Sequence, residues 1–144
     1  MVESSRVLGI DPGVKYLGWA FAQGTRLIAC GYLGRIEDAA QLRAHAPDVC
    51  IIEKPQQYAA SKARRRDVTD LTLSAGEVKA YVSAPRTLLW EPREWKGQVP
   101  KPIHQARILS RMTCAELSIL PVRKTERGHV VDACGIVLRY LGRL

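Results

Sequence analysis

Apolar and polar positions alternate, cluster and recur along this chain in ways that mark out its elements. Arg6-Val-Leu-Gly-Ile10 is a short apolar run closed by Asp11-Pro12-Gly13. Proline presets the first φ of a turn and glycine accepts a positive one, so a strand and then a turn are predicted. Leu17, Trp19 and Phe21 alternate with Gly18, Ala20 and Ala22, the period of two expected of a strand with one bulky face and one small face. Gly24-Thr25 turns the chain into a third strand over 26–33. Residues 37–45 predict a short helix with Ala39, Ala40 and Leu42 inward, ended by Pro47. The stretch from Asp48 to Glu53 is apolar without alternation, as in a central strand covered on both faces, and it ends in an acid before Pro55. Between Ser61 and Val82, the residues Val68, Leu71, Ala75, Val78 and Val82 recur at steps of three and four, one helical stripe. Thr87 to Trp90 predicts a fifth strand, Ile103 to Leu117 a further helix, and Val130 to Leu141 a last helix with Val130, Cys134, Val137 and Leu141 on one face.

Three meandering strands followed by strands joined through helical crossovers imply an α/β fold, a mixed five-stranded sheet with helices on its faces. No repeat, low-complexity segment or linker divides the sequence, so residues 1–144 are expected to form one domain. With 47% hydrophobic and 25% charged residues the composition is that of a globular chain rather than a disordered one. The apolar runs are only a few residues long, and Met1-Val-Glu-Ser-Ser-Arg6 has neither a basic start nor an apolar stretch. Neither a membrane span nor a secretory signal is expected. Cys30, Cys50, Cys114 and Cys134 stand far apart with no C-x-x-C, which argues against a zinc cluster and fits reduced core thiols in a cytoplasmic protein. Charge adds a direction: 22 Lys+Arg against 14 Asp+Glu leave +8, and such a surface accumulates polyanions.

Certain acids give that direction a chemistry. Asp11 follows directly on the first strand and Glu53 closes the fourth, so if those strands are neighbours both carboxylates emerge at one end of the sheet, neither placed to neutralise a cation. His129 and Asp132, three apart at the expected start of the last helix, share a face and can point at the same spot. Carboxylates that close raise one another's pKa unless a divalent cation fills the space between them. Oxygen ligands with one imidazole suit Mg²⁺ or Mn²⁺. In a basic protein such ions would act on a phosphodiester, a pair of them about 3.5–4 Å apart serving the attacking and leaving oxygens.

Gly9-Ile-Asp-Pro-Gly13 with Gly18 and Ala20, then Ile51-Ile-Glu53, then His129-Val-Val-Asp-Ala133, resembles the motif set of the RuvC Holliday junction resolvases, within the ribonuclease H-like superfamily. The resemblance spans nearly the whole chain, and the order of elements agrees. It implies that Asp11, Glu53, His129 and Asp132 are the catalytic and metal-binding residues. It also implies paired ions at each site, and a homodimer that nicks two opposed strands of a four-way DNA junction in a bacterial or phage-infected cell. Nothing in the sequence names a branch-migration motor as partner. Several members of the family carry another Asp where this chain has His129. An imidazole ligates only when neutral, so cleavage is expected to fall below pH ~6.5 more steeply than carboxylates alone would give.

Basic residues flank this set. Lys62, Arg64, Arg65 and Arg66 follow Glu53 and are candidates for backbone phosphate contact, the alternative being a solvated helix start. The resemblance adds Lys96 and Lys101, in Trp90-Glu-Pro-Arg-Glu-Trp-Lys96 and Pro100-Lys-Pro102, as DNA contacts. Tyr58 is implied as the residue that stacks at the junction, although Glu53-Lys-Pro-Gln-Gln-Tyr58 departs from the family's Glu-Gln followed closely by an aromatic. Lys15 at the tip of the first hairpin is placed to reach the backbone, with Gly13 and Gly18 keeping that hairpin slim beside a phosphate. Leu73, Tyr81 or the helix face opposite the stripe offer a two-fold interface. Rival readings are a YqgF-like RNA-processing nuclease and a non-catalytic junction- or nucleic-acid-binding module. A sugar kinase or actin-type phosphotransferase needs a second domain.

Overall fold

The computed structural model describes residues 5–54 and 65–144. Five strands, β1 (Arg6–Pro12), β2 (Leu17–Gln23), β3 (Arg26–Leu33), β4 (Val49–Glu53) and β5 (Arg86–Trp90), form a sheet in the order β3-β2-β1-β4-β5. The first three are antiparallel, and β4 and β5 join in parallel. A 3₁₀ helix (Ile36–His45) and α1 (Arg65–Val82) cover one face of the sheet, and α5 (Lys124–Tyr140), backed by α3 (Lys101–Ser110), covers the other. Two short helices complete the elements of the described residues, α2 (Pro92–Lys96) and α4 (Cys114–Ser118). The expected mixed five-stranded sheet flanked by helices is therefore what forms.

The alternation in β2 decides how closely the second layer approaches. Leu17 and Phe21 pack beneath the 3₁₀ helix and α1, while Ala20 and Ala22 lie in the core under α5. Small side chains on that face let the helix come down onto the strands. A Cβ on Gly18 would stand 2.4 Å from the His129 carbonyl oxygen, and one on Gly9 would stand 2.6 Å from Val137 Cγ2. Gly18 thus serves the approach of a helix rather than of a phosphate. Gly13 is fixed by its own hairpin, where a Cβ would fall 2.5 Å from the Tyr16 ring. On α5, Val130, Ile136, Val137 and Leu138 are fully buried, each contributing about 1.5–3 kcal/mol relative to exposure.

Several boundaries move from their predicted places. Asp11 lies within β1, opposite Gly18, because the turn is shifted to 13–16 and closed by Gly13 N–H donating to the Tyr16 carbonyl at 2.7 Å. Residues 36–45 wind as a 3₁₀ helix. The helix expected from Ile103 to Leu117 is two helices, since Thr113 begins a new one. Its hydroxyl accepts from Glu116 N–H, and the Glu116 carboxylate accepts from Thr113 N–H, a reciprocal cap. The last helix begins at Lys124, so His129 sits in its second turn and Asp132 in its third rather than at its start. Cys50 and Cys134 are core residues as expected, but Cys114 is exposed at the start of α4. Leu73 faces outward at 61% exposure, whereas Tyr81 is half-buried against the core.

Candidate active site

Register brings the two strand acids together. β1 and β4 run parallel with Gly9 opposite Ile51 and Ile10 opposite Ile52, so Asp11 and Glu53 are each the next residue along neighbouring strands. Successive side chains point to opposite faces. Val7 and Ile51 lie in the core under α5, so Asp11 and Glu53, two or four residues on, face that same helix. His129 and Asp132 come down from α5, and all four line one cavity of about 420 Å³. Its floor is the carboxyl end of the parallel strands, the usual place for sites in such sheets.

Each acid has a partner in this structure. His129 Nδ1 lies 3.4 Å from Asp11 Oδ2, and the His129 ring packs beside the stacked pair Tyr16 and Tyr32, at centroid distances of 4.7 and 6.2 Å. Trp95 donates its indole N–H to Glu53 Oε2 at 2.8 Å, and Lys96 Nζ stands 3.1 Å from the same oxygen. Glu53 is therefore paired with a cation, contrary to the expectation from sequence. Asp132 has Lys101 Nζ at 3.6 Å and accepts from the Gln105 amide at 3.3 Å, an amide that also donates to the Gly128 carbonyl at 3.1 Å.

Burial, followed by the charge of Asp11, pushes the Glu53 carboxyl up to about 7 against the opposing pull of Lys96 and Trp95. Asp132 is raised by the same two causes, with Lys96, Lys101 and Gln105 acting against them. Among the described residues no three His, Cys, Asp or Glu side chains stand close enough to enclose an ion unaided. The four groups form an open cup. Its donor set nevertheless fits a hard divalent cation: three carboxylates and an imidazole share one cavity, and the repulsion by which Asp11 raises both other acids is what such a cation relieves.

The predicted DNA contacts divide. Lys96 and Lys101 are on the rim of the cup and also bind its carboxylates. Lys15 is exposed on the hairpin after β1, which is tied to α1 by Ser74 Oγ donating to the Val14 carbonyl at 3.0 Å. Tyr58, Lys62 and Arg64 lie outside the described residues. Arg65 and Arg66 open α1, and their side chains are outside the description too. Trp95, Gln105, Tyr16 and Tyr32 were not anticipated. They act through packing between α2, α3, α5 and the first hairpin, which no local pattern encodes.

No family model matches the sequence, and no curated protein does. Solved structures do. RuvC of T. thermophilus in complex with a Holliday junction substrate shares 16% identity at a TM-score of 0.61, over 93% of this chain and 91% of that one. A second structure of Thermus thermophilus RuvC shares 19% at 0.54, over 93% and 92%. The yeast mitochondrial Holliday junction resolvase shares 14% at 0.56, over 97% of this chain and 80% of its own. On these likenesses, with the sheet order and the two helical layers already described, the chain has the RuvC-type, ribonuclease H-like fold.

Proposed function

We propose that this protein is a divalent-metal-dependent endonuclease that resolves four-way DNA junctions by hydrolysing phosphodiesters, acting as a homodimer so that two opposed strands are cut. The observation that carries the reading is the register of β1 against β4, which sets Asp11 and Glu53 side by side under His129 and Asp132. The fold shared with junction resolvases supports it.

Asp11, Glu53, His129 and Asp132 would hold Mg²⁺, or Mn²⁺ in its place, two ions per site. Those ions would supply Lewis-acid neutralisation of charge at the phosphate. The chain's own residues do the rest. Trp95 and Gln105 fix the orientation of Glu53 and Asp132 through directed hydrogen bonds, the kind of support that holds ligands in a productive geometry. Tyr16 and Tyr32 hold the His129 ring beside Asp11. Lys96 and Lys101 border both the carboxylates and the open cavity, so the same ammonium groups can take an incoming phosphate.

The test is incubation with a labelled four-way junction, a linear duplex, single-stranded DNA and structured ribosomal RNA, each with and without Mg²⁺. Selective, Mg²⁺-dependent cutting of the junction is expected. Preferential cutting of the RNA would instead indicate an RNA-processing nuclease, and tight junction binding with no cutting in any metal would indicate a binding module.

A further inference from the structure

We infer that the flank of α3 bearing Lys101, Arg107 and Arg111 is a second anion site, a rail carrying the sugar-phosphate backbone of one nucleic-acid strand from the cup to a separate basic cavity beyond Trp95. The inference rests on the proposed function for its ligand, and it extends the footprint to residues outside the cup. The second cavity, of about 360 Å³, is lined by Arg107, Arg111 and Arg139, and it shares Lys96 and His104 with the cup. Among the described residues no Asp or Glu lines it.

Some surface arginines face acids, as in Arg35 with Glu37 and Arg123 with Glu126. Here they do not. Arg107 and Arg111 are exposed, and among the described residues neither guanidinium has a hydrogen-bond or ion-pair partner. They are also four apart on a helix, a spacing at which like charges repel. Arg139 gives one N–H to the Leu144 carbonyl at 3.0 Å and is otherwise open to solvent. Between the two cavities stands His104, only 4% exposed, whose Nε2 is buried without a partner. A buried polar atom left unpaired is uncommon and calls for an explanation such as a ligand or water.

Spacing sets the direction. Lys101, His104, Arg107 and Arg111, the last of them capping α3, recur at steps of three, three and four, so they keep to one side of the helix, with His104 buried at its centre and the three cations exposed along its margins. Lys101 touches Asp132 in the cup, and Arg111 is at the far cavity. Ten residues of helix cover about 15 Å, the axial reach of roughly four phosphates on one strand. Trp95 is only 7% exposed and has His104 edge-on at 4.8 Å, so no free aromatic face is offered to a base. Contact with phosphates, independent of sequence, is what this surface suits.

The test compares three full-length proteins: wild type, Arg107→Gln with Arg111→Gln, and Arg26→Gln with Arg86→Gln. The last pair removes equal charge at the other end of the sheet, where β3 and β5 begin. Binding of a four-way junction and of a twelve-residue oligothymidylate is titrated in EDTA from 50 to 200 mM KCl. The rail variant should bind both probes about tenfold more weakly at 50 mM KCl, with the salt slope reduced by about 1.4–1.8 for two lost contacts. Its Mg²⁺-dependent turnover at saturating junction should be unchanged. An unaltered slope, an equal effect from Arg26→Gln with Arg86→Gln, or no oligothymidylate binding by the wild type would each overturn the rail. If the wild type cuts no junction, the resolvase reading fails while the oligothymidylate slopes still decide the rail.

Discussion

Cation binding in this cup should expel a proton from Glu53, in a number set by the site itself. Burial and then Asp11 hold that carboxyl at about 7. Such a group is about 90% protonated at pH 6, about 50% at pH 7 and about 10% at pH 8, while only the carboxylate form ligates. Mg²⁺ titrated calorimetrically in buffers of different ionisation enthalpy should therefore release about 0.9, 0.5 and 0.1 proton per site from Glu53 at those three pH values. Subtracting the curve of Glu53→Gln isolates this share. Trp95→Phe, which deletes the indole donor to Glu53, should move the curve to higher pH. The same shift has a stability consequence of definite sign. A carboxyl raised from 4.5 to about 7 favours the metal-free fold fully below 4.5 and progressively less as pH rises through 7, by an order of 3 kcal/mol in all. Mg²⁺ should accordingly raise Tm more at pH 8 than at pH 5.5. Proton release no greater at pH 6 than at pH 8, or a wild-type curve matching that of Glu53→Gln, would refute the reasoning.

Two further outcomes test how the fold delivers the site. Gly18→Ala drives a Cβ to within 2.4 Å of the His129 carbonyl oxygen, so α5 must shift. A loss of about 1–3 kcal/mol in urea denaturation and at least a tenfold fall in kcat are expected, whereas Gly34→Ala, with open space around it, should change neither. Glu116 is buried and bound at 2.7 Å through both oxygens to Arg143, and it accepts from the backbone of Leu27 and Thr113. Burial pushes its carboxyl up, but Arg143 and the two backbone donors outweigh that and bring it to about 2. Its stabilisation is therefore present above 4.5 and lost as pH falls through 2. Glu116→Gln, which leaves Arg143 without a carboxylate although still bonded to the Thr25 and Arg111 carbonyls, should cost about 3–5 kcal/mol at pH 7, read by urea denaturation.

Much of this architecture is legible in the chain because its signals are local. The bulky and small faces of residues 17–22 specify which side of β2 meets α5, and the unalternating run before Glu53 specifies a strand covered twice. The break between α3 and α4 was also written locally, in Thr113-Cys-Ala-Glu116, but a reading by apolar stripe runs over it. The early start of α5 has no such signal: Lys124-Thr-Glu-Arg-Gly-His129 is polar, and its helix is held by the turns that follow. Asp11, Glu53, His129 and Asp132 could be nominated because strand ends and helix spacing place them. Trp95 and Gln105 could not, because their hydrogen bonds to Glu53 and Asp132 exist only once α2 and α3 have packed against the sheet and α5.

The most direct test of a shared cation-holding cup is cleavage of a labelled four-way junction by wild type and Asp132→Asn in Mg²⁺, with junction affinity measured in parallel. Asp132 is 4% exposed and lines the cup. Loss of cutting by at least a thousandfold, about 4 kcal/mol or more in ΔG‡, with affinity within about threefold of wild type, is the predicted result. Cutting by Asp132→Asn at the wild-type rate would contradict it.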